Sequence, residues 1–152
     1  MLELEEKAKD RCQVAGYAGE LTPKEAWNWL EQDATAQLVD VRTPPEWVFA
    51  GLPDLGPLGK KPVQLSWKLY PAFTQNDQFA ASLNQAGWAK DTPIFFLCRT
   101  GGRSLDAAVA MSAQGYTRCF NITDGFDGPP NDRGQRGTVA GWRANNLPWH
   151  QG

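Results

Sequence analysis

The sequence predicts an α/β protein, a three-layer sandwich with a central parallel sheet of four or five strands. A continuous apolar run at residues 94–97 has strand length and is typical of a parallel strand covered on both faces. A second, largely apolar run at residues 38–41 is also of strand length, and a helix-like run at residues 105–111 lies beyond the first. Because strands that alternate with helices form parallel sheets, we expect the sheet to be buried between two helical layers.

The length and composition of the chain indicate its size and exclude some functions. With 152 residues, of which 41% are hydrophobic, the chain is long enough to bury the core of one globular domain. Fifteen basic and seventeen acidic residues give a net charge of −2, so no overall field is available to attract nucleic acid or an anionic membrane. Any anion-binding site must therefore be local.

The lack of an apolar membrane or signal segment, together with the cysteine usage, favours a cytoplasmic protein without a metal site. No apolar run approaches the roughly 18 residues of a membrane span, and residues 1–11 are charged and lack an apolar signal core. Cys12, Cys98 and Cys119 are an odd number of cysteines without a C-x-x-C pair. This pattern argues against both a disulfide framework and a zinc site.

Local patterns predict the elements of the first half of the chain. Residues 1–11 favour a charged helix. A second helix should start at Thr22, because its hydroxyl can cap the helix, a proline follows it, and Glu25 lies three residues later. The strand at residues 38–41 cannot continue through the two prolines that come after it. A further short strand is expected over residues 63–65.

The second half of the chain predicts a connection followed by two helices and two strands. Residues 67–73 form an aromatic-rich connection, after which a helix carries Phe79. The strand at residues 94–97 leads to the helix at residues 105–111, whose small apolar side chains predict that it is buried. A last strand is expected over residues 116–122.

The residues between the strand at 94–97 and the next helix combine a nucleophile with the features of an anion-binding loop. They are Cys98, Arg99, Thr100, Gly101, Gly102, Arg103 and Ser104. The two glycines allow a tight turn with inward-pointing amides, and the helix start adds the positive end of its dipole. Such surroundings lower a cysteine pKa from about 8.5 to roughly 3.5–7.5, so we expect this thiol to ionise easily. The alternative, a buried structural cysteine, is disfavoured by the neighbouring glycines and arginines.

The number of residues in this loop distinguishes two related chemistries. Arg103 is the fifth residue after Cys98, which gives the pattern C-x4-R, and the sixth residue is Ser104. This short loop resembles that of the single-domain rhodaneses, sulfurtransferases that carry a persulfide on the loop cysteine. Phosphatases of the Cdc25 type share the fold but have a longer C-x5-R loop. Other segments that resemble the rhodaneses, in the expected order, are Leu38-Val39-Asp40-Val41-Arg42, Glu46-Trp47, Arg136-Gly137-Thr138-Val139-Ala140-Gly141-Trp142 and Leu147-Pro148-Trp149.

The resemblance implies a fold, a domain division and a set of site residues. It assigns residues 17–150 to a rhodanese-like domain and leaves residues 1–16 as an N-terminal helical extension. It implies a rhodanese-like three-layer sandwich in which Cys98 is the catalytic nucleophile and no metal or organic cofactor is required. The residues expected to bind substrate are Arg99, Thr100, Gly101, Gly102 and Arg103. Those expected to support the loop are Asp40, Arg42 and Ser104.

The charged residues Asp40 and Arg42 lie at the end of a predicted buried strand, where charges are usually paired. One hypothesis is that Asp40 pairs with Arg103 and locks the loop. Arg99 would then be the cation that meets an incoming anion. The alternative is that Arg103 itself binds substrate.

The activity favoured by these features is that of a thiosulfate sulfurtransferase. The Cys98 thiolate would take the outer sulfur of thiosulfate, or of a similar sulfane donor, and pass it to cyanide or another thiophilic acceptor. One alternative is a sulfur-relay or protein-binding module that acts on a partner protein. A phosphatase of the Cdc25 type or an arsenate reductase is a further alternative, against which the loop length counts. We expect no nucleic acid or membrane partner.

Several residues outside the loop carry weaker predictions. Cys12 and Cys119 lack the glycines and cations of the loop, so we predict structural roles for both. Phe126 either lines the mouth of the site or is an ordinary exposed or core aromatic residue. Near the C-terminus, Arg143 and Trp149 belong to a set of arginines and tryptophans that we expect to stack and to fix that segment.

Overall fold

A computed structural model describes residues 2–151 of the chain, in which helices alternate with short strands. The helices are α1 (Leu2–Asp10), α2 (Pro23–Gln32), α3 (Pro44–Phe49), α4 (Phe79–Asn84) and α5 (Gly102–Ala113), with a 3-10 turn at Gly56–Leu58. The strands are β1 (Gly19–Leu21), β2 (Gln37–Asp40), β3 (Leu52–Pro53), β4 (Val63–Gln64), β5 (Lys68–Leu69), β6 (Thr74–Gln75), β7 (Ile94–Leu97), β8 (Cys119–Ile122) and β9 (Trp149–His150). None of the helices within residues 2–151 is long and apolar enough to cross a membrane.

Five strands form one parallel sheet in the order β1, β8, β7, β2, β4. β7 lies at the centre, with Phe96 opposite Val39 of β2 and Ile94 opposite Cys119 of β8. The prediction of an α/β fold with a parallel sheet of four or five strands is therefore confirmed. Because the five strands run in the same direction, their carboxyl ends meet at one edge of the sheet, where open α/β sheets bind ligands.

The side chains of β7 alternate between two apolar layers. Phe95 belongs to the layer that contains α2, and its ring lies 5.2 Å from that of Trp29. Phe96 points to the opposite layer, where α4 contributes Phe79 and α5 contributes Met111. The sheet is thus covered on both faces, which explains why β7 is apolar throughout.

The N-terminal helix α1 lies against the edge strand β1. Ala8 of α1 is fully buried at this contact. Gly19 of β1 has a φ of +149°, and a Cβ atom there would lie 2.3 Å from the carbonyl carbon of Ala8. The close approach of the two backbones therefore requires glycine at this position. The charged helix predicted over residues 1–11 is present from residue 2 to residue 10.

The helix α2 starts where the sequence predicts it. The Thr22 hydroxyl accepts a hydrogen bond from the Glu25 amide at 3.2 Å, and the Glu25 carboxylate accepts one from the Thr22 amide at 2.9 Å. This reciprocal pair is a capping box. Arg11 adds an ion pair to the same Glu25 carboxylate at 2.7 Å, which links α1 to the start of α2.

Several elements differ from the sequence-based predictions. The connection at residues 67–73 contains β5, which forms an antiparallel hairpin with β6. Two-residue strands have too little periodicity to be recognised in a sequence. The strand β8 is shorter than the strand predicted over residues 116–122, and α5 starts three residues before residue 105.

The predicted stacking near the C-terminus is confirmed, since the Arg143 guanidinium lies 5.2 Å from the centre of the Trp149 ring.

Replacing Thr22 by alanine should lower the free energy of unfolding by about 1 kcal/mol, because the Glu25 amide loses its acceptor. Chemical denaturation measures this loss. Thr22→Ser is the matched control, since it keeps the capping oxygen and should retain most of the stability. Equal losses in the two variants would contradict the capping explanation.

Candidate active site

Cys98 is the first residue after the central strand β7, and donors from the following loop hold its sulfur. The Gly101 amide donates to the Cys98 Sγ at 3.0 Å, and the Ser104 Oγ lies 3.1 Å from the same sulfur. Cys98 is only 1% exposed. Its side chain therefore turns toward the loop and the start of α5 and is shielded from solvent.

The sequence predicts inward-pointing amides in this loop, and the structure shows one of them bonded to the sulfur. Within residues 2–151, the Gly101 amide is the one backbone N–H that donates to Sγ. Five further amides after Cys98 form no hydrogen bond with any group in the same part of the chain, namely those of Arg99, Thr100, Gly102, Arg103 and Ser104. Three of them belong to the first turn of α5, where N–H groups have no partner inside the helix. The hydrogen-bonding capacity of these amides is unused within residues 2–151.

The turn after β8 holds the Cys98 loop from behind. The Phe126 amide donates to the Cys98 carbonyl at 2.9 Å, and the Asp127 amide donates to the Arg99 carbonyl at 3.0 Å. Gly125 permits this approach, because its φ is +61° and a Cβ atom would lie 2.4 Å from the Cys98 carbonyl oxygen. The contact of this turn with the loop was not predicted from the sequence.

Arg103 pairs with Glu46 of α3, so the predicted pairing of Arg103 with Asp40 is wrong. Its two terminal nitrogens donate to the two Glu46 oxygens at 2.7 and 2.8 Å. Burial lowers the pKa of Arg103, but the Glu46 carboxylate outweighs it and raises this pKa above its ordinary value. Burial likewise raises the pKa of Glu46, and the Arg103 guanidinium outweighs it and lowers this pKa. Two parallel hydrogen bonds between charged groups make this a strong pair.

Asp40 pairs instead with Arg42, and both side chains are completely buried. The Arg42 Nη2 donates to Asp40 Oδ2 at 2.7 Å and to the Gly51 carbonyl at 2.8 Å. The Arg42 guanidinium lies over the Phe126 ring, 4.4 Å from its centre. Phe126 is itself fully buried, so it does not line the mouth of the site. These contacts join the end of β2 to the turn that holds the Cys98 loop.

Arg99 is anchored at one nitrogen rather than being the unpaired cation predicted from the sequence. Its Nε donates to Asp127 Oδ2 at 3.2 Å, and its side chain is 50% exposed. Asp127 also pairs with Arg143, whose Nη2 lies 2.9 Å from Asp127 Oδ1. The two terminal nitrogens of Arg99 form no hydrogen bond within the part of the chain that the structure describes. They remain available to a ligand.

A series of buried polar side chains extends from Cys98 to β1, and sequence analysis did not find it. The Ser104 Oγ lies 2.5 Å from Asn121 Oδ1. The Asn121 Nδ2 donates to both Glu20 carboxylate oxygens at 3.1 Å and to the Gly101 carbonyl at 3.1 Å. The only sequence signal was a polar asparagine within the otherwise apolar strand β8.

The other cysteines lie in environments unlike that of Cys98. Cys119 is fully buried, and burial raises its pKa to about 11. Burial also raises the pKa of Cys12. These surroundings keep both thiols protonated, which favours the structural roles predicted for them. Among residues 2–151, no group of three or more histidine, cysteine, aspartate or glutamate side chains is placed to hold a metal ion.

Replacing Glu46 by glutamine should lower the free energy of unfolding by about 1–3 kcal/mol at neutral pH, because Arg103 loses its charged partner. Since folding lowers the pKa of Glu46, the pairing stabilises the protein above the ordinary pKa of 4.5 and is lost as the pH falls through the lower folded value. The difference from the wild type should therefore shrink in acid. Denaturation curves across this pH range measure it.

The control for this prediction is Glu31→Gln, which removes a carboxylate from an exposed position on α2. We expect little change in stability at any pH. A loss in Glu46→Gln that stays constant from neutral to acidic pH would contradict the charge-pairing explanation.

Comparisons with known proteins agree with this architecture. The family described as the STR4 middle domain matches residues 18–152. The uncharacterized protein RP600 of Rickettsia prowazekii is 43% identical over 124 residues, which cover 82% of this chain and 90% of that protein. The crystal structure of Rv0390 from M. tuberculosis superposes with a TM-score of 0.82 at 44% identity, covering 90% of this chain and 99% of that one.

More distant matches connect the chain to sulfur chemistry by name. A protein of Allochromatium vinosum named sulfurtransferase is 28% identical over 111 residues, which cover 73% of this chain and 75% of that protein. Other distant relatives are named as rhodanese-like proteins, among them rhodanese-like domain-containing protein 4 of Arabidopsis thaliana. Residues 18–152, which the family model matches, contain the whole parallel sheet and the Cys98 loop. The chain therefore belongs to the STR4 middle domain family, which is a rhodanese-related family.

Proposed function

We propose that this chain is a thiosulfate sulfurtransferase that moves sulfane sulfur through a persulfide on Cys98. The observation that supports this most directly is the position of Cys98 Sγ, in contact with the Gly101 amide and the Ser104 hydroxyl at the start of α5. Unpartnered amides in the same loop add donors for a second sulfur atom. Membership in a rhodanese-like family favours sulfur as the transferred group.

The first stage loads sulfur onto the protein. The Cys98 thiolate attacks the outer sulfur of thiosulfate, so that a bond forms between Sγ and that sulfur. The S–S bond of thiosulfate breaks, and sulfite leaves with the electron pair. Cys98 then carries a persulfide whose negative charge is on the terminal sulfur. Preorganised amide donors are worth about 3–4 kcal/mol each to such a developing anion, so the amides of Thr100, Gly102 and Arg103 are the groups that would stabilise it.

The second stage unloads the sulfur. Cyanide, or another thiophilic acceptor, attacks the terminal sulfur and leaves with it as thiocyanate or the corresponding product. The electron pair of the S–S bond returns to Sγ and regenerates the thiolate. Both stages balance in atoms and charge without an added oxidant or reductant.

Arg99 is the residue best suited to hold the sulfonate end of the donor. Its side chain is half exposed and fixed at Nε by Asp127, so its terminal nitrogens keep hydrogen-bond capacity. Arg103 has both terminal nitrogens bound to Glu46 and would have to release them to contact a substrate. Because hydrogen bonds between charged groups are the strong ones, we assign the anion contact to Arg99.

A sulfur relay to a partner protein is the second candidate, and exposed apolar side chains near the site favour it. Phe73 is 53% exposed and lies 5.5 Å from the Arg103 guanidinium. Phe49 is 79% exposed on α3, the helix that carries Glu46. A phosphatase or arsenate reductase is disfavoured because the C-x4-R loop is shorter than the loop of the related phosphatases.

Intact-mass measurement after treatment with thiosulfate tests the proposed intermediate. The protein should gain the mass of one sulfur atom, and cyanide should remove it and release thiocyanate. The Cys98→Ser variant should gain nothing, whereas Cys12→Ser and Cys119→Ser should load like the wild type.

Each alternative gives a different result in the same assays. Loading that cyanide does not discharge, but a protein thiol does, would favour the relay. Absence of loading together with hydrolysis of an aryl phosphate would overturn the assignment in favour of a phosphatase.

Replacing Arg99 by glutamine should raise the KM for thiosulfate by roughly tenfold, since one hydrogen bond between charged groups is lost. Thiocyanate formation measured over a range of thiosulfate concentrations gives this value. Arg133→Gln removes another exposed arginine and serves as the control. An unchanged KM in Arg99→Gln would contradict the assigned role.

A further inference from the structure

Glu20 of β1 is a buried carboxylate without an ion-pair partner. Glu20 is 2% exposed. Within residues 2–151 no lysine, arginine or histidine forms a salt bridge with its carboxylate. All its partners are neutral donors: the Tyr17 hydroxyl at 2.5 Å, the Thr123 hydroxyl at 2.8 Å and the Asn121 Nδ2. A buried charge is costly unless it is paired, so this arrangement needs a reason beyond packing.

The Glu20 carboxylate fixes which way the Asn121 amide points. The Asn121 nitrogen faces the Glu20 oxygens and the Gly101 carbonyl, and all of these groups are acceptors. Only an NH2 group satisfies them, so the opposite end of the amide, Oδ1, must face Ser104. An amide flip would place Oδ1 against the Glu20 oxygens and the Gly101 carbonyl, which are all acceptors. The orientation of Asn121 therefore follows from its contacts.

This orientation determines where the hydrogen atoms of Ser104 and Cys98 lie. Asn121 Oδ1 can only accept, and it lies 2.5 Å from the Ser104 Oγ, so the single hydroxyl hydrogen must be between them. Ser104 then has no hydrogen left to donate to the Cys98 Sγ, 3.1 Å away. That contact needs a hydrogen, and the one available is the S–H of Cys98.

We propose that Asn121, oriented by Glu20, is a positioning residue that holds the Ser104 hydroxyl away from the sulfur and so keeps Cys98 a protonated thiol at rest. This inference rests on the proposed function, in which Cys98 is the nucleophile. When the thiol ionises, its proton passes to water, and the Ser104 hydroxyl turns from Asn121 to the sulfur. Asn121 Oδ1 then loses its donor, so ionisation carries a cost that the loop alone would not impose.

The charged groups of the surrounding elements are already committed to one another. Arg103 pairs with Glu46 and Arg42 pairs with Asp40. Asp127 pairs with both Arg99 and Arg143. The Ser104 hydroxyl has no such fixed charge partner and rotates about a single bond. It is therefore the group that responds when the charge of Cys98 changes.

A double-mutant cycle on Cys98 alkylation tests the proposal without using sulfur transfer. At fixed neutral pH, Asn121→Leu should increase the rate of Cys98 alkylation by iodoacetamide at least about threefold, because the freed Ser104 hydroxyl stabilises the thiolate. In the Ser104→Ala background the same Asn121→Leu change should have no effect. The proposal would be overturned if Asn121→Leu left the rate unchanged or slower in the protein that keeps Ser104. An equal change with and without the Ser104→Ala substitution would also overturn it.

Infrared spectroscopy of the S–H band decides the question if Asn121→Leu does not fold, as judged by cooperative thermal unfolding. The difference between wild type and Cys98→Ser isolates the Cys98 band from those of the other two thiols. We expect the Cys98 S–H band to have the frequency of a hydrogen-bonded donor. In Ser104→Ala the band should move to a higher frequency, because the acceptor is removed. A frequency typical of a non-donating thiol, or no shift in Ser104→Ala, would refute the proposal. Neither readout depends on thiosulfate, so failure of the sulfurtransferase assignment would be recognised separately by the absence of loading.

Discussion

The hydrogen bonds from the amides of Phe126 and Asp127 to the carbonyls of Cys98 and Arg99 are the constraint on which the site depends. In a planar peptide group, the carbonyl and the following N–H point in opposite directions. Binding the two carbonyls from behind therefore turns the next two amides away from the turn after β8. Gly125 is needed because the backbones approach too closely for a Cβ atom. The direction of the Arg99 and Thr100 amides thus originates in a contact with a different segment.

Charge pairing around the loop leaves the backbone as the main source of positive potential. Arg42, Arg99 and Arg103 each have a carboxylate partner within the protein. Paired guanidiniums keep their positions but contribute a reduced field, whereas unpartnered amides at a helix start contribute dipoles with no compensating anion. Such a site favours a small anion that fits the amides over a large polyanion. This agrees with the short C-x4-R loop and with a chain of almost neutral net charge.

The sequence predicted what depends on local patterns and missed what depends on distant pairs. The strand β7, the capped start of α2 and the glycine-containing loop after Cys98 were all recognisable, because each is encoded by adjacent residues. The pairing of Arg103 with Glu46 joins residues 57 positions apart, and the contact of Asn121 with Glu20 joins residues 101 positions apart. Asp40 was an equally plausible partner for Arg103 on charge alone. Only the position of α3 relative to the loop decides between the two carboxylates.

Burial of Cys98 does not conflict with the nucleophilic role proposed for it, because exposed residues adjoin the buried ones in the loop. Cys98, Gly101 and Ser104 are buried, while Arg99, Thr100 and Gly102 of the same loop are exposed. Exposed and buried groups therefore alternate within a few residues of the sulfur. A dry environment strengthens each hydrogen bond to a sulfur anion and also raises the cost of an unpaired polar group. A thiol held as a donor to Ser104 avoids that cost at rest, and rotation of one hydroxyl supplies the missing donor once the sulfur becomes charged.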